Sequence, residues 1–423
     1  MSHQLSSATP DHPPVIVGID WADREHDACV IDDNNGKVQT FKHDPDAIAD
    51  WFEQLHKKYP DRPILIAIEQ SRGALVHALQ DTKGLIIYPI NPKQLARYRE
   101  ALYPGGGKND TVDAQLLAMF LANHRQQLRP WKPDDVETRK LDHLSELRRK
   151  LVEQRKCLCL QLLGTLKLYF PLVVTLFEKS LSSDLVIDLL KRWPCLAELK
   201  KPHPKTLREF FREHGIRDEE RQTELVKTIR AASPLTTDPA IIQSYSIFVQ
   251  SLARQIAETN RAITEFEDEL KRVVAKHPDH ELFHSLPGAG DALVPRLIAA
   301  FGSDRDRYSS ASELQAYSGI APITKQSGQA CVVQQRYFCP KFLKQTFHEF
   351  ADHARKWSTW SRAFYLLKRS KGMKHNAAVR ALAFKWIRII FSLWKSKEIY
   401  SEEKYLNQLR SKNSPLLAFI QET

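Results

Sequence analysis

Apolar positions in the first hundred residues switch between the period of a strand and the period of a helix. PVIVGIDWA reads as a strand, and HDACVIDD and GKVQTFKH flank Asn34, Asn35 and Gly36 as the two arms of a hairpin. DPDAIADWFEQLHKKYP has helical spacing, with Asp44 or Asp46 placed to cap it. PILIAIE reads as a buried strand, GALVHALQDTKG as a helix ending at Gly84, and LIIYPIN as a further strand. The alternation predicts a mixed sheet covered by helices. One acidic residue on the first strand, and another ending the strand after the first helix, suit a ribonuclease-H-like nuclease core.

The pattern then becomes wholly helical. From Asp134 to about Phe170 one long helix is expected, with Leu141, Leu144, Leu151, Leu158 and Leu162 on a common stripe. A second runs from about Pro239 to Lys276. Its apolar residues Ile241, Tyr245, Phe248, Leu252, Ile256, Ile263, Phe266, Leu270 and Val273 approximate a heptad seam. Such helices can pair as an antiparallel hairpin or associate between subunits. The stretch 171–238 reads as short helices broken at Pro194, Pro202, Pro204 and Gly215, an insertion at the far end of that hairpin. Near Leu282 a C-terminal domain begins. FHSLPGAGDALVPRLIAAFG reads helix, tight turn, helix; its glycines let backbone N–H groups approach a phosphate. A helix-hairpin-helix and a plain packing corner both fit. The expected domains are 1–130, 131–280 and 281–423.

Composition narrows the partners. The 423 residues are 42% hydrophobic and 27% charged, as in ordinary soluble globular proteins. Lysine and arginine outnumber the acids by 62 to 51, which favours a polyanionic partner. From Lys325 to Lys397 there are sixteen basic residues against only Glu349 and Asp352, so this segment alone exceeds the net +11 of the chain. Phe338, Phe342, Trp357, Trp360, Tyr365 and Trp386 interleave with those charges, a combination suited to nucleic acid. Lys325, Arg336, Lys341, Lys344, Arg369, Lys371, Lys374 and Arg380 are the candidate contacts. The six cysteines form no CxxC and read as reduced thiols of a cytosol. The first fourteen residues are polar and proline-containing, unlike a signal peptide, and no apolar run approaches the roughly 20 residues that span a bilayer. A soluble intracellular protein is expected. The run PGGGKND at 104–110 lacks GxxxxGK[ST] spacing and does not directly follow a strand, which argues against a nucleoside-triphosphate site.

Four acids carry the candidate chemistry: Asp20 in VIVGIDWA, Glu69 in ILIAIEQS, and Asp110 and Asp113 in KNDTVDAQ. A charge at the end of an apolar strand is costly without compensation. Two acids three residues apart share a helix face. Carboxylates converging from two strands and a helix suit a hard cation, Mg²⁺ or Mn²⁺, of the kind used in phosphodiester chemistry. The plainer alternative is a pair of strand-end residues and a helix cap. Ser327, beside Gly328 in the polar, loop-like TKQSGQA, reads from composition as a turn.

The chain resembles the DEDD-type insertion-sequence transposases, which act as bridge-RNA-guided recombinases. The resemblance lies in GIDWA, AIEQS, INPKQLARYREAL and KNDTVDAQLLA at one end. At the other it lies in LPGAG, ASELQAYSGIAPITKQSG, QQRYFCPKFLKQTFHEFA, HNAAVRALAFKWIRII and SEEKYL. It implies an α/β plus α fold: an N-terminal ribonuclease-H-like (RuvC-like) mixed-sheet domain, a long coiled-coil helical linker and a mainly helical C-terminal transposase domain. Asp20, Glu69, Asp110 and Asp113 take the positions of the metal-binding DEDD tetrad, and Ser327 that of the nucleophilic serine. The implied reaction passes through a phosphoserine–DNA intermediate, with the tetrad of one subunit facing the serine of another. Implied partners are donor and target double-stranded DNA, a structured guide (bridge) RNA, and further copies of the chain as dimers assembling into a tetramer. The alternative is a structure-selective nuclease, resolving four-way junctions with the tetrad and water alone.

Overall fold

The computed structural model describes residues 13–32, 35–69, 73–79, 82–103, 110–328 and 330–421. Asn34 of the hairpin turn and residues 104–109 of the glycine-rich run lie outside them. The chain packs as two compact units, 1–133 and 134–423.

The first unit is a five-stranded mixed sheet. β1 (Val15–Asp20), β2 (Glu25–Asp32) and β3 (Asn35–Lys42) form an antiparallel meander, while β4 (Ile64–Ile68) and β5 (Leu85–Pro89) add in parallel beside β1. The resulting order is β3-β2-β1-β4-β5. Between β3 and β4 runs α1 (Pro45–Lys58); proline opens it, and Asp44 caps it by accepting the Ala47 N–H at 2.9 Å. Of the two aspartates suggested by the sequence, Asp44 is the cap. α2 (Ala74–Leu79) follows β4, and α3 (Pro92–Leu102) and α4 (Asp110–His124) follow β5.

Side-chain alternation divides the sheet into two apolar faces. Val15, Val17, Ile19, Ile64, Ile66 and Ile68 pack with Trp51, Phe52 and Leu55 of α1. Leu65 and Ala67 pack on the opposite face with Leu95 of α3 and Leu116, Leu117 and Leu121 of α4. At about 25 cal/mol per Å² of apolar surface, both faces contribute to holding the layers together.

The second unit is helical apart from one hairpin. α5 (Val136–Tyr169) leads into α6 (Pro171–Phe177), α7 (Asp184–Arg192), α8 (Leu196–Leu199), α9 (Pro204–Glu213) and α10 (Glu219–Ala231), and α11 (Pro239–Val274) returns. Contacts run in opposite order along α5 and α11: Arg148 meets Glu267, Arg155 meets Asn260, and Tyr169 stacks on Tyr245. The pair is therefore antiparallel. Residues 171–238 share an apolar core with Leu158, Leu162 and Leu166 of α5 and with Val249, Leu252 and Ile256 of α11. One seam position differs from the expected stripe: Phe248 is 45% exposed, and Val249 is buried instead. A helix of 3.6 residues per turn drifts off a seven-residue repeat, so a neighbouring position takes the inward place.

α12 (His280–His284), α13 (Val294–Phe301) and α14 (Ala311–Tyr317) precede the hairpin of β6 (Ile323–Ser327) and β7 (Ala330–Gln334). Then follow α15 (Lys341–Trp357), α16 (Thr359–Ser370), α17 (His375–Ser396), α18 (Glu402–Ser411) and α19 (Leu416–Gln421). Trp360, Trp386, Trp394, Phe347 and Phe350 fill their core. In the turn between α12 and α13, Gly288 has φ +76°, and a Cβ there would lie 3.1 Å from the His353 backbone carbon and 3.2 Å from Ala354 N. This glycine is demanded by close packing of α15. Among the described residues, no helix is long and apolar enough to cross a membrane. All six cysteines are free thiols.

Candidate functional site

Ile16, Gly18 and Asp20 share one face of β1, and α4 lies directly on it. A Cβ on Gly18 would stand 2.2 Å from the Ala114 carbonyl oxygen and 2.3 Å from Ala118 N. Only a residue without a side chain admits the helix backbone this close. Along the parallel pair, Gly18 is opposite Ala67 and Ile19 opposite Ile68. Asp20 is the last residue of β1 and Glu69 directly follows the last residue of β4, so both lie at the C-terminal ends of neighbouring parallel strands. Both residues are half-buried. Across the antiparallel pair, Asp20 faces Asp27.

Asp27 is absent from the sequence reading. Its Oδ1 accepts from Thr40 Oγ1 at 2.7 Å and its Oδ2 from Thr111 Oγ1 at 3.3 Å. It thereby ties the first turn of α4 to the sheet edge that carries Asp20. No spacing signals this residue, because only the strand register brings it opposite Asp20.

Asp110 opens α4; its side chain lies outside the described residues. Asp113, one turn on, is buried and forms an ion pair with Arg99 of α3. Sequence reasoning missed Arg99 as well, since it sits fourteen residues away on another helix. The candidate ligands are all carboxylates, a donor set that fits a hard divalent cation. Among the described residues, no three acidic, histidine or cysteine side chains stand close enough together to hold an ion.

The loop leaving Asp20 is held by histidines. Fully buried His26 accepts the Ala22 N–H on Nδ1 at 3.3 Å, so Nε2 carries its proton and donates to His43 Nδ1 at 2.9 Å. Trp21 stacks on the His26 ring. Burial, with His43 nearby, lowers the His26 pKa to about 4. The folded state therefore refuses a proton that the unfolded chain takes up below about pH 6.5. Stability of this unit should be full above that pH and fall as the pH drops towards about 4, by up to about 3 kcal/mol. Urea unfolding at pH 7 and pH 4.5 measures it. His26→Gln should flatten the profile, and identical slopes for both proteins would remove His26 as the cause.

Ser327 ends β6 and pairs with Ala330, placing its exposed side chain at the tip of a hairpin. The expected loop is thus a strand end, because backbone pairing with ACVVQ overrides the polar composition of the segment. Gly328 follows with φ +57° and open space around it, a conformation suited to glycine at a tight turn. Lys325 is exposed two residues before Ser327, on the same face of the strand. Beyond the hairpin, Lys344 Nζ donates to the Arg336 carbonyl at 2.9 Å, and partial burial lowers the Lys344 pKa. Arg380 of α17 donates to Gln335 Oε1. Arg369, whose Nη1 reaches the Met373 carbonyl at 2.8 Å, lies with Lys371 and Lys374 at the exposed corner joining α16 to α17. Lys341 is exposed at the start of α15.

The aromatics that interleave with these charges divide sharply. Phe342, Trp360 and Trp386 are buried, Tyr365 is half-buried, and Phe338 and Trp357 are 72% and 74% exposed. Half of the expected stacking surface is core. Helical periodicity turns every third or fourth residue inward, which a count along the chain does not register.

A transposase family model of the DEDD type matches residues 17–171, spanning the sheet, α4 and α5. A second, for transposases of the IS116/IS110/IS902 family, matches residues 280–366, which include the Ser327 hairpin. The mini-circle protein of IS117 from Streptomyces coelicolor is 28% identical over 403 residues, covering 93% of this chain and 97% of its own length. The 44.8 kDa protein of insertion element IS116 from Streptomyces clavuligerus is 25% identical, covering 92% and 97%. The 42 kDa protein of IS900 from Mycobacterium paratuberculosis is 23% identical with the same coverage. Two family models in the expected order, with relatives matched almost end to end, support one conclusion: the chain belongs to the DEDD-type IS110 family of insertion-sequence transposases.

Proposed function

We propose that this transposase cuts and rejoins DNA strands through a phosphoserine intermediate on Ser327, assisted by an acidic Mg²⁺ site of Asp20, Glu69, Asp110 and Asp113. The observation that supports the acidic half is the parallel pairing of β1 with β4, neighbouring strands that close on Asp20 and just before Glu69, under the helix that begins with Asp110 and Asp113. The strand order β3-β2-β1-β4-β5, antiparallel then parallel, supports a ribonuclease-H-like core. For the serine half, support comes from an exposed hydroxyl at a hairpin tip, with Lys325 alongside and a basic helical domain around it.

In the reaction, Ser327 Oγ gives up its proton to solvent and attacks a backbone phosphorus. The P–O3′ bond breaks, and the departing strand leaves as a 3′-hydroxyl. Attack by the 3′-hydroxyl of another strand reverses the step, so the phosphoester link is conserved for rejoining rather than lost to water. A bound Mg²⁺, or Mn²⁺, supplies charge stabilisation for the phosphoryl oxygens and the leaving oxygen. Lys325, Arg336, Lys341, Lys344, Arg369, Lys371, Lys374 and Arg380 hold backbone phosphates. A structured bridge RNA, pairing with donor and target DNA, supplies sequence choice. The antiparallel α5–α11 hairpin packs against its counterpart in another subunit, and subunits assemble as dimers and then a tetramer in the bacterial cytosol. On this reading 1–130, 131–280 and 281–423 are the catalytic, assembly and serine-bearing parts.

Ser327→Ala tests the mechanism directly. Strand exchange should fall below detection, on the order of 10³-fold or more, and no protein–DNA adduct should survive on denaturing gels. Cleavage at the wild-type rate would instead assign the chemistry to the acids and water. The guide is tested by sequencing RNA that copurifies from the native host; absence of one discrete structured species would end that part of the proposal.

A further inference from the structure

We propose that Arg99 is the resident counter-ion of the acidic site, neutralising Asp113 until a divalent cation displaces it. This rests on reading the tetrad as a metal site, but it concerns a residue outside the tetrad. The Asp113 side chain is only 5% exposed, and a carboxylate so deeply buried needs a cationic partner. Arg99, itself 20% exposed, supplies one by directing Nη2 at Oδ1. A dication on the same carboxylate brings a second positive charge close to the guanidinium, so the two cations compete for Asp113.

The seat of Arg99 is also poor. Its Nε is buried and has no hydrogen-bond partner, so the guanidinium binds through one nitrogen where a carboxylate normally accepts two. A buried donor without an acceptor weakens the apo arrangement. Arg99 lies in the last turn of α3, where the helix dipole favours a cation whether or not Asp113 holds it. A flexible arm on a one-point contact, anchored where its charge is tolerated, is suited to leaving. Arg99 is accordingly a positioning residue, which holds Asp113 in place before the metal arrives.

The test uses the full-length protein with Mn²⁺ as the probe, followed by calorimetry and by the thermal midpoint in chelator and in metal. Wild type, Arg99→Gln, Arg99→Lys and Asp113→Asn are compared. Arg99→Gln should lower the midpoint in chelator yet bind Mn²⁺ about tenfold more tightly, since the competitor is gone. Arg99→Lys, which keeps the charge without the fork, should fall between and covers the case in which the glutamine variant does not fold. Unchanged or weaker Mn²⁺ binding in both variants would overturn the proposal and leave Arg99 a structural or ligand-supporting residue. If Mn²⁺ binds neither wild type nor the Arg99 variants, the metal-site reading itself fails. If Mn²⁺ binds wild type and Asp113→Asn equally, Asp113 is not a ligand and Arg99 has nothing to gate.

Discussion

Asp20→Asn is expected to lower DNA strand cleavage by on the order of 10³-fold or more while leaving the fold and DNA binding intact. The substitution keeps the size and shape of a half-buried side chain at the end of β1. It removes one of two carboxylates that face each other across the β1–β2 pair, where like charges repel. The urea midpoint should therefore stay within about 1 kcal/mol of wild type, because the lost repulsion offsets lost polar contacts. Cleavage of a labelled substrate and gel-shift binding, measured on the same preparation, separate the two effects. Metal-dependent cleavage at the wild-type rate would make Asp20 a structural residue. Loss of binding together with cleavage would place Asp20 in DNA contact instead of chemistry.

Gly18→Ala should cost at least about 3 kcal/mol, at the upper end of ordinary overpacking. The added methyl would stand 2.2 Å from the Ala114 carbonyl oxygen and 2.3 Å from Ala118 N. Both obstacles are helix backbone, which cannot rotate aside as a side chain does. α4 must lift off β1, and with it the turn carrying Asp110 and Asp113. The variant should lose activity even where it remains folded. Gly164→Ala is the matched control, because that glycine lies within α5 with nothing within 4 Å of a new Cβ. It should stabilise the helix by about 0.5–1 kcal/mol. Equal midpoints for the two variants in denaturant would disprove the close approach of α4 to β1.

The elements of the sheet were legible because each strand and helix writes its own period into the chain. Val15–Asp20, the β2–β3 hairpin, α1 with its aspartate cap, and both long helices stand close to where the pattern places them. Where the reading went astray, two side chains competed for one inward position. Val249 took the place expected for Phe248, and Trp360 and Trp386 turned out to be core where nucleic-acid contact was expected. Amino-acid type says that a tryptophan wants cover, not whether protein or a base will provide it. Ser327 shows the converse: a polar segment became a strand because a partner strand lay two residues away.

By itself, the sequence determined the order of the elements and singled out the four acids and the serine as candidates, since these depend on local periodicity and on residues that can be named one at a time. Only the tertiary structure decided that Asp20 stands opposite Asp27, that Asp20 and Glu69 close neighbouring parallel strands, and that Arg99 pairs with Asp113. Those facts arise from strand register and from the depth at which α4 settles over Gly18. Register and depth are set by backbone pairing and close packing between segments distant in sequence, which no local pattern encodes.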